Sequence, residues 1–466
     1  MTAQTILPAN SVTDTGYDVG NSIKFNGSNS VMQRNAAGTP SSTKIWSISF
    51  WVKRCRLGTT EVVWMHQNAA NHTAKFQLGF HSSDTFRIET YDGTNEYNLS
   101  TDMLFRDTSA WYSILVNVDS TQGTEANRYK IFVNGIQAAV TETGSGYPAQ
   151  NWDLDLGSQK IALGRYQAAS PSAYYDGYVA EVVYADGQTL APTDIGEFDS
   201  ASGIFKPIDV SELTLGNAGF YINFADSSDL GATTGNDFAL TNLAATDQST
   251  DTCTNNFPTM NSLDNYYAST TFSEGNLKMV TNGSAIVYNT STIGFSSGKW
   301  YMEVKLGSSS GEVLGVITGP ATANNNDNKI GNRADGWGYD YRGLVENAGS
   351  DEGGSFAAFD SGDVIGVYAD LDNDKIYFSK NGTLQNSGTG LNLDVAGSPT
   401  YFFAVGDNHG SNAATFEVNF GNPVSALSSA VSDGTYGSFE YSTTITGDSA
   451  SKTFKALNTK NLAEFG

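Results

Sequence analysis

Cysteine is nearly absent from this chain: Cys55 and Cys253 are the two in 466 residues. A scaffold built on disulfides needs more of them at short spacing, so two free thiols are expected. Basic charge is also short, with 25 Lys+Arg against 49 Asp+Glu and a net charge of −24. That balance excludes long-range attraction to nucleic acid or anionic lipid. No run reaches the ~18 apolar residues a membrane helix requires, and no membrane insertion is expected. Met1 to Pro8 has neither a basic n-region nor an apolar h-region, so no signal peptide is expected and synthesis in a cytoplasm is implied. The four histidines, His66, His72, His81 and His409, are too scattered to form a metal or catalytic constellation.

What the chain does have is an antiparallel β composition, with 49 glycines and 12% aromatic residues. Short runs of period-two alternation recur from residue 20 to 421. In Trp300 to Leu306 the even positions are Trp, Met, Val and Leu while Tyr301, Glu303 and Lys305 face the other way, which reads as one core face and one solvent face. Ile48 to Lys53 and Phe416 to Phe420 divide in the same manner. Val116 to Asp119, a polar turn, then Tyr129 to Gly135 is echoed by Val367 to Asp370, an acidic turn, then Lys375 to Gly382. Both runs end in Asn-Gly, the pair favoured in tight hairpin turns. The fold class is therefore all-β, with two related antiparallel sandwiches. A polar, weakly alternating stretch over 206–269 reads as a mostly irregular connector strapped down by Phe220, Tyr221, Phe238 and Phe257. The reading gives an N-terminal arm (1–20), a first sandwich (21–205), the connector, a second sandwich (270–422) and a tail (423–466). In that tail a short helix just beyond Gly421 is expected, and Phe454 to Leu462 should dock on a neighbouring surface.

The second sandwich resembles a SPRY domain, on Ser297 to Val304, Gly336-Trp337-Gly338-Tyr339, Gly362 to Val367, the Asp370 to Gly382 hairpin, Pro399 to Val405 and Val418 to Gly421. The first resembles a laminin-G or concanavalin A-like jelly roll, on Ser49 to Lys53, Trp111 with Val116 to Val118, Ile131 to Gly135 and Asp176 to Val182. The order of the whole chain resembles structural proteins of tailed bacteriophages, particularly marine ones; Cys253 stands where that pattern usually carries proline. The resemblance implies a location on the outer surface of a virion, in tail or capsid, with other virion structural proteins as partners. It also implies a host-surface glycan or protein as ligand, and a homo-oligomer, a trimer by analogy.

Jelly rolls of this type include glycoside hydrolases, whose retaining members need two carboxylates ~5 Å apart. No strand carries the alternating acids, and Glu89 to Asp92 and Asp153-Leu154-Asp155 have the wrong spacing or only two acids, so no enzyme is expected. Asp370-Leu371-Asp372-Asn373-Asp374 offers oxygen ligands for calcium but lacks the loop glycine and distal Glu of an EF-hand. No cofactor is assigned; calcium on a jelly-roll rim has no nameable ligand set. Sugar recognition uses flat aromatics beside polar groups, and two sets of residues qualify. One is Tyr147, Trp152, Tyr166, Tyr174 and Tyr175; the other is Trp337, Tyr339, Tyr341 and Arg342, of which Trp337 and Tyr339 also fall within the core motif of the second sandwich.

Overall fold

The structure, a computed structural model, describes residues 16–35, 39–68, 75–153, 159–166, 172–233, 237–264, 270–283, 286–307, 311–319, 329–394, 396–408 and 412–466. His72, His409, Asp155 and residues 1–15 of the N-terminal arm lie outside these. The chain forms two compact units that divide between Thr254 and Asn255.

In the first unit two eight-stranded antiparallel sheets enclose one core. The front sheet runs Ile136–Gln137, Tyr129–Val133, Trp111–Asp119, Ile45–Arg54, Asp176–Asp186, Ser22–Asn26 and Gln248–Ser249, with Phe220–Ile222 also pairing Asp176–Asp186. The back sheet runs Val140–Gly144, Glu96–Thr101, Phe86–Tyr91, Lys75–Phe80, Glu61–Asn68, Gln159–Leu163, Val31–Asn35 and Ala239–Thr241. Alternate residues of each strand interdigitate between the sheets, Ile48, Phe50 and Val52 from the front and Phe76, Leu78, Phe86 and Ile88 from the back. The other face of the front sheet is not solvated. Leu190, Ile195, Phe205 and Val210 fold back over Trp51, Leu115 and Val183 in a second apolar layer. The segment read as a connector divides between the units: Phe220, Ile222 and Phe238 enter the first core, while Phe257 packs in the second unit.

The second unit pairs a nine-stranded sheet, centred on Lys299–Leu306, Val364–Asp370 and Lys375–Lys380, with a six-stranded sheet centred on Phe402–Asp407, Glu312–Ile317 and Gly336–Asp340. The two hairpins matched in sequence are both present, and each Asn-Gly turns with positive φ: Asn134 at 48° and Gly135 at 78°, Asn381 at 48° and Gly382 at 76°. Trp300, Met302 and Val304 are core, as their alternation requires. Tyr301 and Glu303, expected to face solvent, are buried instead. The tail covers them, with Phe439, Phe454 and Ala456 packing on Tyr301, Tyr368 and Tyr377, and Lys455–Ala456 adding a parallel strand beside Trp300 and Tyr301. The helix expected just beyond Gly421 does not form. Ser428 donates its backbone N–H to the Glu440 carboxylate at 2.8 Å and its hydroxyl to the same group, an alternative that competes with helix. The α-helix among the described residues is Thr459–Phe465, capped by Asn458, whose side chain accepts from Asn461 N. No helix among the described residues is long and apolar enough to cross a membrane.

Candidate functional site

The outward face of the back sheet in the first unit holds the best candidate. Phe86, Ile88 and Thr90 point inward while Arg87, Glu89 and Tyr91 point out. Because strand pairing sets directly opposed residues side by side, one transverse row reads Gln33, Ala162, Met65, Gln77, Glu89, Asn98, Thr143. The adjacent row reads Lys160, Gln67, Lys75, Tyr91, Glu96. On the other side Arg87 opposes Gly79 and Ser100.

Three polar atoms of this array are buried without a partner: Gln77 Oε1, Asn98 Oδ1 and Arg87 Nε. Gln77 is 9% exposed and Asn98 4%. A buried acceptor left unmade costs about 1–3 kcal/mol, and an orphan of this kind marks a place where water or a ligand completes the bonding. Glu89 accepts from Lys75 Nζ at 2.5 Å and lies 3.9 Å from Arg87, so its charge is held between two cations. Its ladder neighbours are Gln77 and Asn98, not a second acid. The Tyr166 ring, with the Lys75 ammonium 5.1 Å from its centroid, borders the array.

Of the aromatic residues singled out in sequence, Tyr166 alone touches this surface. Tyr147 and Tyr175 are core residues and present no face to a ligand; Tyr175 donates to the Lys53 carbonyl at 2.7 Å and stacks on Phe80. Trp152 is half-buried against the same core, and Tyr174, also half-buried, offers its carbonyl to Arg56 at 2.6 Å. In the second unit Trp337 meets Tyr401 edge-on, and Tyr339 sits among Phe356, Phe359 and Phe378 with its hydroxyl donated to the Ala357 carbonyl. Both are core. Tyr341 packs on that core from its edge. Arg342 is exposed, but Asp340 and Glu346 neutralise it. The two aromatic sets therefore do not assemble as ligand faces, because Tyr147, Tyr175, Trp337 and Tyr339 turn their rings into the two cores.

Gln77, Arg87 and Asn98 were not found in sequence. Alternation in Phe86–Tyr91 tells which side chains face out, but only the register of the ladder shows that Gln77, Glu89 and Asn98 are consecutive.

The acidic hairpin is likewise committed. Asp370 is buried, 3.7 Å from Lys299 and 3.1 Å from Lys452, and accepts from Asn373, while Asp372 pairs with Lys299. Among the described residues no three His, Cys, Asp or Glu side chains gather as a metal-holding group. Cys55 and Cys253 are free thiols, and burial pushes the Cys55 thiol well above its ordinary range.

Residues 25–195 match the concanavalin A-like lectin/glucanases superfamily, and residues 299–422 match the SPRY domain. Among solved structures, the chain is similar to the SPRY domain of human HERC1, at 19% identity over 30% of this chain and 86% of that one, with a TM-score of 0.26. It is also similar to a native heptameric SAP-like pentraxin from Limulus polyphemus, at 10% identity over 44% of this chain and 96% of that one, with a TM-score of 0.32. Stonustoxin is similar at 18% identity over 35% of this chain and 27% of that one, with a TM-score of 0.27. No curated protein matches.

Proposed function

We propose that this chain, a concanavalin A-like domain followed by a SPRY domain, is a non-enzymatic adhesin that holds a polar ligand, a host-surface glycan, on the outward face of its first sandwich. The observation that carries this reading is the row Gln77, Glu89, Asn98 with Arg87 beside it, where buried amide oxygens and a guanidinium nitrogen await hydrogen bonds. Sugar hydroxyls both donate and accept, and so suit a surface that offers amide carbonyls, a carboxylate and N–H groups together. Glu89 clamped between Lys75 and Arg87 favours binding over hydrolysis, which needs a paired acid.

The order of modules supports a place on the outer surface of a tailed-phage virion, as a tail fibre or receptor-binding component among other virion proteins. Repetition of weak sites there multiplies their effect. The alternatives are a capsid or tail decoration protein that binds no receptor, and a polysaccharide depolymerase.

The test joins binding to localisation. The purified chain is titrated with a panel of bacterial surface polysaccharides, and Gln77→Leu with Asn98→Leu is expected to weaken binding at least about tenfold without lowering Tm. Apolar replacement removes the cost of two buried amide oxygens that have no partner. Immunogold on intact particles should label distal tails, and the free protein should inhibit adsorption. Uniform head labelling without inhibition would establish decoration, and new reducing or unsaturated sugar ends would establish the depolymerase. Absence of binding across the panel, or binding indifferent to both substitutions, would overturn the proposed site.

A further inference from the structure

The second unit contains a cavity that the reading above does not use. It lies on the outer face of the nine-stranded sheet, beside the patch where the tail packs, and has a volume of about 510 Å³, within the range of small-molecule sites. Its floor is set by strand register. Glu303 opposes Asn419, and in the next row Lys305 stands between Glu417 and Val364. Pro423, Val424 and Leu427 supply apolar wall, and Glu440 and Tyr441 close one end.

The carboxylates that line it are fixed in place. Glu303, 2% exposed, accepts from the backbone N–H of Glu440 and of Tyr441, both at 2.7 Å, and from the Tyr301 hydroxyl at 2.8 Å. Three of its roughly four acceptor positions are thus taken. Glu440 accepts twice from Ser428, and Glu417 accepts from Ser425 at 3.4 Å and lies 3.6 Å from Lys278. These bonds preorganise the wall and leave further acceptor positions open on each glutamate. Against three glutamates the lining carries one cation, Lys305, which is exposed.

We propose that this cavity binds a small organic amine with a hydrocarbon stem, of the diamine and polyamine class. An ammonium group offers three donors and no acceptor, which matches a lining rich in acceptors. The stem lies along Val364, Val424 and Leu427, as long aliphatic side chains do on apolar surface. A single metal ion fits less well. Glu303, Glu417 and Glu440 do not gather as a metal-holding group, and carboxylates spread around a cavity suit a ligand whose charges are themselves spread. Burial pushes the Glu303 carboxyl up to about 7, and an ammonium placed against it would draw that value down. Binding near neutral pH should then release a proton. The other charged or titratable groups around Glu303 are Tyr301, Tyr368, Glu440, Tyr441, Lys305 and Glu417.

The experiment is calorimetric titration of the full chain with spermidine and with putrescine at about 150 mM salt, where surface charge is well screened, with Mg²⁺ as the control for loose counterion uptake. We expect one equivalent of spermidine, and a binding heat at neutral pH that varies with the ionisation enthalpy of the buffer. Glu417→Gln, at the partly exposed rim, should weaken it at least about tenfold, Leu427→Arg should abolish it, and Lys305→Ala should strengthen it. If Leu427→Arg does not fold, Glu417→Gln and Lys305→Ala still decide. No binding, or several weak equivalents matched by Mg²⁺ and indifferent to Glu417→Gln, would overturn the proposal.

Discussion

Asp251 lies in a polar run, Asp247 to Thr252, that has little alternation and reads as part of the connector. Its carboxylate is fully buried, 2.7 Å from the equally buried Lys53 ammonium, and accepts from Trp111 Nε1 at 3.0 Å. Removing one partner of such a pair strands the other charge, so Asp251→Ala should destabilise the first unit by about 3–5 kcal/mol. Denaturant unfolding followed for each unit should show the loss in the first and none in the second. His66 is a second case where burial decides. It is 1% exposed, its ring 5.2 Å from Trp64 and 5.4 Å from Tyr184. Desolvation, helped by the Arg34 charge, draws its pKa down to about 3. Between that value and the ordinary value of about 6.5 the unfolded chain binds a proton that the folded one does not, so this contribution to stability is lost as pH falls. His66→Leu should therefore flatten the acid side of the first unit's pH–Tm curve, and an unchanged slope would refute the assignment.

Among elements, the hairpins were the most legible, because Asn-Gly carries its own backbone requirement. Asn381 and Gly382 both take positive φ, and a Cβ at Gly382 would come within 2.6 Å of the Tyr441 ring. Gly382→Ala should accordingly cost about 1–3 kcal/mol, read as a fall in Tm of the second unit. Strand faces were half legible. Alternation identified the inward side of Lys299–Leu306, but whether its other side meets water depends on a segment more than a hundred residues away. Phe439 and Phe454, both fully buried, cover Tyr301 and Tyr368. The same limit holds for the aromatic sets: Tyr174 and Tyr175 are adjacent in the chain, yet one is half-buried and the other is core.

At the scale of the whole molecule, two compact units with separate cores imply that damage to one leaves the other folded. With no disulfide linking Cys55 and Cys253, a reducing agent should leave Tm unchanged, and a large drop would contradict free thiols. Composition, alternation and turn residues by themselves determined an all-β chain of two antiparallel sandwiches, because these signals are local and repeat in every strand. Only the tertiary structure decided the candidate site. Gln77, Glu89 and Asn98 are neighbours through the register of three strands, and the amine cavity exists because residues 423–428 and Glu440 fold back over Glu303. Pairing register and long-range covering are properties of segments brought together from afar, and no local pattern in the chain encodes which partner each strand will meet.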